Sequence, residues 1–215
     1  MDITYIGHAC FMIELSTGYS ICFDPYAPGS VPGLGEVCVV ADKVLCSHGH
    51  RDHNAEECVK SPSRAFNGPF PEIEIIDTYH DEVKGAKRGP NKITIVRSEP
   101  DNAVIVHMGD IGCGLTDEQL EKIKGCDLLM IPVGGFYTID CRQAFELCCR
   151  IDPKAVIPMH FSGDGFGYDV ISGREEFAEL IRENGGREII SGGGKVRGIP
   201  EGKTLLLMDP VRFLR

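Results

Sequence analysis

Short runs of apolar residues, separated by polar turns, mark the first part of the chain as strands. Residues 3–6, 10–15 and 20–24 form three such runs, and residues 16–19 form a turn between the last two. Runs of this length, rich in β-branched and aromatic residues, are typical of buried strands. We therefore predict that the chain opens with an antiparallel meander.

Further along, the pattern predicts strands first and then alternating helices and strands. The predicted strands cover residues 42–46, 72–78, 92–98, 103–108, 127–133, 155–159, 188–191 and 204–208. Predicted helices cover residues 116–124, 139–150 and 173–183, and Thr116 is a suitable N-cap for the first. No repeat or linker stands out, so residues 1–215 are predicted to form one domain.

The glycine-rich segment 191–195 lies shortly before the last predicted strand. Lys195 is followed by Val196 and not by Ser or Thr, and the earlier glycine of a Walker loop is absent. We therefore reject a phosphate-binding loop and interpret the segment as a flexible connection.

The charge of the chain narrows the classes of partner. The formal net charge is −10, which disfavours binding to a phosphate backbone. We expect a small-molecule substrate and no nucleic acid. The N-terminus carries no basic leader, and no apolar stretch approaches membrane length, so we expect a soluble cytoplasmic protein without a membrane partner. No prediction of oligomeric state follows from the sequence.

Ten cysteines raise the question of disulfides. No Cys-x-x-Cys pair occurs, so we expect reduced, small core residues. Four of them lie in apolar strand-like runs: Cys10, Cys22, Cys38 and Cys46. A redox role for Cys113 or for the adjoining Cys148 and Cys149 is the alternative.

One short run of histidine and aspartate residues indicates metal binding. His48, His50, Asp52 and His53 form a His-x-His-x-Asp-His sequence directly after the predicted strand 42–46. Imidazole nitrogen and carboxylate oxygen are the donors that a borderline divalent ion such as Zn²⁺ prefers. After the run, Asn54 and Glu57 resemble a capping box, so residues 54–59 are predicted to begin a helix. The alternative, a polar helix start without a metal, explains far less of the pattern.

Later strands end in the same types of donor. Predicted strand 72–78 leads to His80, strand 103–108 to Asp110, and strand 155–159 to His160. In sheets flanked by helices, functional side chains gather beyond one set of strand ends. We therefore expect these donors to join the early run, and seven residues are enough to hold two ions.

These motifs resemble those of the metallo-β-lactamase superfamily, in particular its intracellular metal-dependent hydrolases, which include sugar-phosphate lactonases. The motifs are His48-x-His50-x-Asp52-His53, His80, Gly109-Asp110 and Pro158-Met159-His160, with Gly7-His8-Ala9 and Phe23-Asp24-Pro25 as further matches. The resemblance implies an α/β (α+β) fold, a four-layer αββα sandwich with a dinuclear site at one edge.

The resemblance also implies a role for each residue. His48, His50 and His80 would hold one metal, Asp52, His53 and His160 the other, and Asp110 would bridge them. Two divalent ions, expected to be Zn²⁺ with Mn²⁺ or Fe²⁺ as alternatives, lower the pKa of a shared water and leave a hydroxide as the nucleophile. Asp52 is the candidate to orient that water or to move its proton. His8, Asp24 and His107 are candidates for hydrogen bonds to the ligands, although core packing is the preferred interpretation of His8 and His107.

A basic loop follows His80 and suggests a substrate class. Lys84, Lys87 and Arg88 could bind an anion, in contrast to the acidic rest of the chain. A solvated loop with incidental charges is the alternative, and we slightly prefer it.

The sequence thus predicts a metal-dependent hydrolase acting on an ester, lactone or phosphoester of a small metabolite, with an anionic metabolite as one option. Three alternatives stay open: a phosphodiesterase or nuclease of the same fold, an iron-dependent redox enzyme, and a metal-binding interaction module without turnover. A β-lactamase role is disfavoured because no export signal is seen.

Overall fold

The computed structural model describes residues 1–184 and 186–211, and within them two sheets face each other. The strands are β1 (Asp2–Gly7), β2 (Cys10–Glu14), β3 (Ser20–Phe23), β4 (Val39–Val40), β5 (Lys43–Leu45), β6 (Val59–Lys60), β7 (Glu72–Tyr79), β8 (Pro90–Ser98), β9 (Ala103–His107), β10 (Leu128–Pro132), β11 (Ala155–Met159), β12 (Glu188–Gly192), β13 (Lys195–Arg197) and β14 (Thr204–Met208). The helices are α1 (Asp117–Ile123), α2 (Cys141–Ile151) and α3 (Glu175–Asn184). The predicted domain 1–215 includes residues 185 and 212–215, which lie outside the described part.

The predicted meander β1-β2-β3 forms the centre of one sheet, which β5 and β13 extend, while seven later strands form the other sheet and β4 pairs with β6 separately. The smaller sheet has the order β13-β1-β2-β3-β5, and the larger has the order β12-β14-β11-β10-β9-β8-β7. In the larger sheet β9 to β12 and β14 run parallel, whereas β8 runs antiparallel to β7 and β9. As a result, β7, β9 and β11 all end at the same edge.

Alternation along the smaller sheet explains how the layers pack. Tyr5, Phe11 and Phe23 point into the main core, where they meet apolar residues of the larger sheet. Cys10 and Cys22 point to the opposite face, into a second core completed by residues of segment 24–41. The side chains of successive strand residues face opposite sides of a sheet, so three short strands can serve both cores.

The outer layers of the sandwich differ from each other. Helix α2 contacts β10, α1 and α3, so the helices cover the larger sheet. The outer face of the smaller sheet is covered instead by segment 24–41, which contains no helix and ends in β4. The expected sandwich is confirmed, with an irregular outer layer on one side. No helix in the described ranges combines the length and apolarity needed to cross a membrane.

Several local predictions are wrong. The capping box at Asn54 does not form, because residues Glu56–Cys58 make only a 3₁₀ turn that begins at Ala55 without a side-chain cap. The chain then enters β6, which pairs with β4. The segment 191–195 is not a free connection, since β12 extends through Gly192 and β13 pairs with β1.

The cysteines are free, and most of them are at least partly shielded from solvent. Cys10 and Cys22 are buried as expected, with their sulfur atoms 4.0 Å apart. Cys38 is exposed, which contradicts its placement in a buried strand, and Cys46 lies just beyond β5.

The sheet-to-sheet core is expected to dominate stability. Ile131 lies in β10 and is fully buried, so Ile131→Ala should lower the free energy of unfolding by about 3 kcal/mol, because a cavity adds to the lost burial. Val170 is 53% exposed, and Val170→Ala should change the free energy of unfolding by less than about 0.5 kcal/mol. Urea unfolding of both variants measures the difference, and a similar loss for both would contradict this account of the core.

Candidate metal centre

The predicted donors follow the carboxyl ends of their strands, as the sequence suggested. His48 and the rest of the early run come after β5, His80 after β7, Asp110 after β9 and His160 after β11. Because these strand ends share one edge, donors that are up to 112 positions apart (160 − 48) meet in space.

Asp110 lies at the middle of the cluster. Its Oδ2 atom is 3.1 Å from His160 Nε2, 3.2 Å from both His53 Nε2 and His80 Nε2, and 3.9 Å from His48 Nε2. The carboxyl group is almost completely buried. A single carboxylate therefore faces four imidazoles that come from three separate segments.

The remaining donors divide into two groups around Asp110. The nitrogen atoms of His48, His50 and His80 lie within 4.8 Å of one another. A second set with the same spacing combines Asp52, His53 and His160 with His8. The structure thus brings all seven predicted ligands together. The first group has the membership that the resemblance implied, and the second contains His8 in addition to Asp52, His53 and His160.

Asp24 fixes the ring orientation of two histidines. Its Oδ2 accepts hydrogen bonds from His53 Nδ1 at 2.8 Å and from Ser47 Oγ at 2.6 Å, while Ser47 Oγ lies 2.9 Å from His48 Nδ1. With the Ser47 hydroxyl donating to the carboxylate, His48 Nδ1 must donate to Ser47. In their neutral forms both rings therefore carry the lone pair on Nε2, towards Asp110, which is the arrangement that metal-binding histidines need.

Asp110 is held in place through its backbone. Its N–H donates to Asn91 Oδ1 at 2.9 Å, and the amide of Asn91 donates to Thr78 and to the carbonyl of Met108. The preceding Gly109 has a φ of +56° and packs so closely that a Cβ would lie 2.3 Å from Asn91 Oδ1. Only glycine fits there without displacing Asp110.

Backbone strain is concentrated at the same edge. His8, Asp24 and His160 have φ values of 59°, 41° and 52°, in the left-handed region that non-glycine residues seldom occupy. Such conformations persist where surrounding contacts hold them, and they cluster at functional sites. The His160 N–H, for example, donates to the His8 carbonyl at 2.8 Å.

The pKa values of the ligands reflect burial among opposite charges. Burial alone would lower the pKa of His53, but the carboxylates of Asp110 and Asp24 outweigh it and hold that pKa well above its ordinary value. Burial would raise the pKa of Asp110, but His160 and His53 keep it well below. Burial, with the nearby His53, lowers the pKa of His48 to about 3. The cluster therefore contains neutral and charged imidazoles around an ionised carboxylate.

Asp52 is held from two sides. His8 Nε2 lies 3.3 Å from Asp52 Oδ2, and the Tyr168 hydroxyl lies 3.0 Å from the same oxygen. The hydroxyl also lies 2.7 Å from the Ser30 carbonyl, so its one proton is shared between two acceptors. Burial lowers the pKa of His8 to about 4, which keeps the ring neutral. His8 thus contacts the ligand groups, whereas core packing was the preferred interpretation.

His107 lies beneath the site and does not touch the ligands. Its Nε2 donates to the Ala9 carbonyl at 2.9 Å, its Nδ1 accepts from the Gly109 N–H at 3.1 Å, and its ring stacks on Phe23. Its effect on the ligands is indirect, since it supports the turn that carries Asp110.

A cavity of about 290 Å³ opens onto the cluster. Five predicted ligands line it, namely His50, Asp52, His80, Asp110 and His160. Lys87, Arg88, Tyr137 and Tyr168 complete its wall. Lys84 is exposed and is not part of that wall, so only two of the three predicted cations reach the cavity.

Sequence reasoning missed the residues that support the ligands. Ser47 adjoins the metal run and was a visible candidate by position, but Asn91, Tyr137 and Tyr168 carry no signal of their own. Each reaches the site through the register of a strand or the path of a loop, which one sequence does not reveal.

Comparison with known proteins agrees with this geometry. Residues 2–160 match the family described as β-lactamase superfamily domain. A metal-dependent hydrolase of the UPF0173 group from Caldivirga maquilingensis is 30% identical over 190 residues, which cover 74% of this chain and 82% of that protein. A UPF0173 metal-dependent hydrolase from Pelotomaculum thermopropionicum is 30% identical over 198 residues, covering 75% of this chain and 85% of the relative.

A solved structure gives the same result. A crystal structure from Thermotoga maritima, described as a candidate zinc-dependent hydrolase of the metallo-β-lactamase superfamily, superimposes with a TM-score of 0.74. It is 29% identical, and the match covers 96% of this chain and 97% of that one. The chain therefore belongs to the metallo-β-lactamase superfamily, among its metal-dependent hydrolases.

Proposed function

We propose that the protein holds two divalent metal ions, most suitably Zn²⁺, and hydrolyses an ester, lactone or phosphoester of a small metabolite. The observation that carries the proposal is the position of Asp110, whose carboxylate faces both groups of donors. A carboxylate shared in this way suits a bridge between two ions.

The residues present fit such ions. Nε2 of His48, Nε2 of His53 and Oδ1 of Asp110 are buried and have no hydrogen-bond partner in the described part of the chain. Buried polar atoms normally find partners, and these point into the cluster. The donors are nitrogen and oxygen atoms, the set that suits zinc and also admits manganese or iron. His48, His50 and His80 would hold one ion, Asp52, His53 and His160 the other, and Asp110 both.

Two cations held there would supply Lewis acidity and would lower the pKa of a water molecule that they share. The chain supplies the rest. Asp52 lies at the cavity wall, and its pKa far below the ordinary value keeps its carboxylate ionised, so it can accept a hydrogen bond from a water and orient it. His8 and Tyr168 hold this carboxylate in one orientation.

The cavity sets the size and type of substrate. A volume of about 290 Å³ accommodates a small molecule and no folded macromolecule. The wall reaches both groups of donors, so one bound ester group can face both. The net charge of −10 supports a metabolite substrate over nucleic acid, and a cytoplasmic location is part of the same proposal.

Metal removal and turnover test this function. Protein treated with a chelator should lose hydrolysis of bis-p-nitrophenyl phosphate and of a panel of lactones, and added zinc should restore it. Asp52→Asn should lower kcat by about 10²-fold or more, because the carboxylate that orients the water is lost. Metal content is measured in parallel by plasma emission spectrometry. Bound zinc with no turnover of any substrate would favour a binding module, and stoichiometric iron with oxygen consumption would favour redox chemistry.

Asp24 is expected to control metal affinity without being a ligand. In Asp24→Asn the acceptor of the His53 and Ser47 hydrogen bonds is weakened, so zinc affinity should fall by about 10- to 100-fold. Asp42→Asn is the matched control, because Asp42 also accepts bonds from a serine, Ser20, but at the opposite end of β5. Competition with a chromophoric chelator measures both affinities. Equal affinities of the two variants would contradict the role of Asp24.

Zinc affinity should also rise with pH. In the metal-free protein Asp110 and Asp24 raise the pKa of His53 despite its burial, so this ring keeps a proton to unusually high pH. A metal must displace that proton, and the affinity should fall by about tenfold per pH unit for each proton displaced, as the pH drops below the raised pKa. Calorimetric titration in buffers of different ionisation enthalpy counts the protons. Zinc binding without proton release at neutral pH would show that His53 is neutral in the metal-free protein.

A further inference from the structure

One buried carboxylate organises the loop next to the metal cluster. Asp81 directly follows His80, is fully buried, and accepts four backbone hydrogen bonds. The N–H groups of Val83 and Gly85 donate to Oδ1 at 2.9 and 2.8 Å, and those of Lys87 and Arg88 donate to Oδ2 at 2.9 and 2.7 Å. A carboxylate that is satisfied in this way fixes the path of the loop it caps.

The same loop is anchored to the metal edge at its base. The His80 N–H donates to the Gly89 carbonyl at 3.1 Å, and the Gly89 N–H donates to the Gly85 carbonyl at 2.9 Å. On the other side Gly112 packs so closely that a Cβ would lie 2.4 Å from the His80 carbonyl oxygen. The segment 81–89 therefore holds a fixed position relative to His80.

Two cations of this loop reach the cavity, but they differ in their partners. Lys87 has a carboxylate partner at the surface, since its Nζ lies 2.7 Å from Glu82 Oε1. No ion pair joins Arg88 to a carboxylate within the described ranges. Its guanidinium instead lies 5.6 Å from the centre of the Tyr137 ring and 6.0 Å from that of Phe136. An arginine seated on aromatic rings keeps its donors free for a planar or tetrahedral anion.

Phe136 adds an independent sign of function. It has a φ of +56°, and 61% of its surface is exposed. Such a residue gains little from burial and occupies an unfavourable backbone region, which is a combination found at ligand sites. Its ring lies beside Arg88 and contacts Tyr137, two residues that line the cavity.

We propose that Arg88 is a specificity-determining residue that binds an anionic group of the substrate, a carboxylate or a phosphate, distinct from the bond that is cleaved. Asp81 is the positioning residue that holds Arg88 at the cavity. The rings of Tyr137 and Phe136 contact the apolar part of the substrate next to its anionic group. The inference rests on the proposed hydrolase function for the cleaved bond, but the anion site itself does not require turnover.

Calorimetric titration of the zinc-loaded protein with two probes, glutarate and glycerol phosphate, tests the site directly. Arg88→Gln should weaken binding of at least one probe by about tenfold or more, because a charge-assisted hydrogen bond is lost. Arg88→Lys should recover only part of the affinity, since an ammonium lacks the planar fork. The probe that loses more affinity identifies the anion. Unchanged affinity for both probes in Arg88→Gln would overturn the inference.

Lys84→Gln is the matched control, because it removes the same charge from the same loop outside the cavity wall. It should bind both probes as the unmodified protein does. If it weakens binding as much as Arg88→Gln, a general charge effect explains the result and the inference is overturned. Equal zinc content in all variants, measured by plasma emission spectrometry, shows that the metal cluster is intact.

Kinetics separate this inference from the hydrolase proposal. Mono-p-nitrophenyl glutarate and p-nitrophenyl butyrate share an ester bond, but only the first carries an anion. Arg88→Gln should raise KM for the glutarate ester by about tenfold and should raise KM for the butyrate ester by a much smaller factor. If the unmodified protein cleaves neither ester, nor any lactone or phosphoester, the hydrolase proposal fails, and the calorimetric result still decides the role of Arg88.

Asp81→Asn tests the positioning role. One amide oxygen replaces two carboxylate oxygens, and the amide nitrogen faces N–H groups that also donate. Hydrogen exchange at residues 83, 85, 87 and 88 should accelerate, and KM for the glutarate ester should rise while zinc content stays constant. Faster exchange with an unchanged KM would show that Asp81 has a structural role only, and would remove it from the inference.

Discussion

The metal edge depends on one interaction, the burial of the Asp110 carboxylate among four histidine rings. A buried charge is costly unless it is paired and hydrogen-bonded. Here the partners come from the early run, from the end of β7 and from the end of β11, and they converge within 3.9 Å of one oxygen atom. Because no local segment could provide them, the pairing links both sheets at this edge.

Hydrogen bonds to the Nδ1 atoms of His48 and His53 orient these rings so that their Nε2 atoms face Asp110. Asp24 accepts a hydrogen bond from His53 Nδ1, and Ser47 accepts one from His48 Nδ1. Asn91 Oδ1 accepts a hydrogen bond from the backbone N–H of Asp110. The residues that support the candidate metal ligands are thus held by hydrogen bonds of their own. Such support explains why strained conformations at His8, Asp24 and His160 persist, since each of these residues is fixed from several sides.

The convergence of the candidate ligand residues could be predicted from sequence because they follow strand-like runs and belong to a strongly preferred donor type. The strands before Asp110 and His160 are buried and read as apolar runs, whereas the strand before His80 alternates between exposed and buried positions in its second half. Asn91 and Tyr168 could not be predicted, since ordinary polar and aromatic residues gain their roles from strand register and loop path. The 3₁₀ turn at Glu56–Cys58 and the strand β13 were missed for a related reason, because tertiary pairing outweighs local preference in short elements.

On the proposed function, the arrangement separates the candidate metal ligands from the residues proposed to recognise the rest of the substrate. The candidate ligands stand at strand ends, where packed backbone restricts their movement. Arg88, Tyr137 and Tyr168 stand on loops, whose paths can differ between related chains without disturbing the sheets. His80 and Asp81 connect the donor cluster with the loop 81–89, because His80 belongs to the cluster and the next residue, Asp81, accepts the hydrogen bonds that fix the loop. A change in the loop can therefore alter which molecule is bound while the donors that surround Asp110 stay in place.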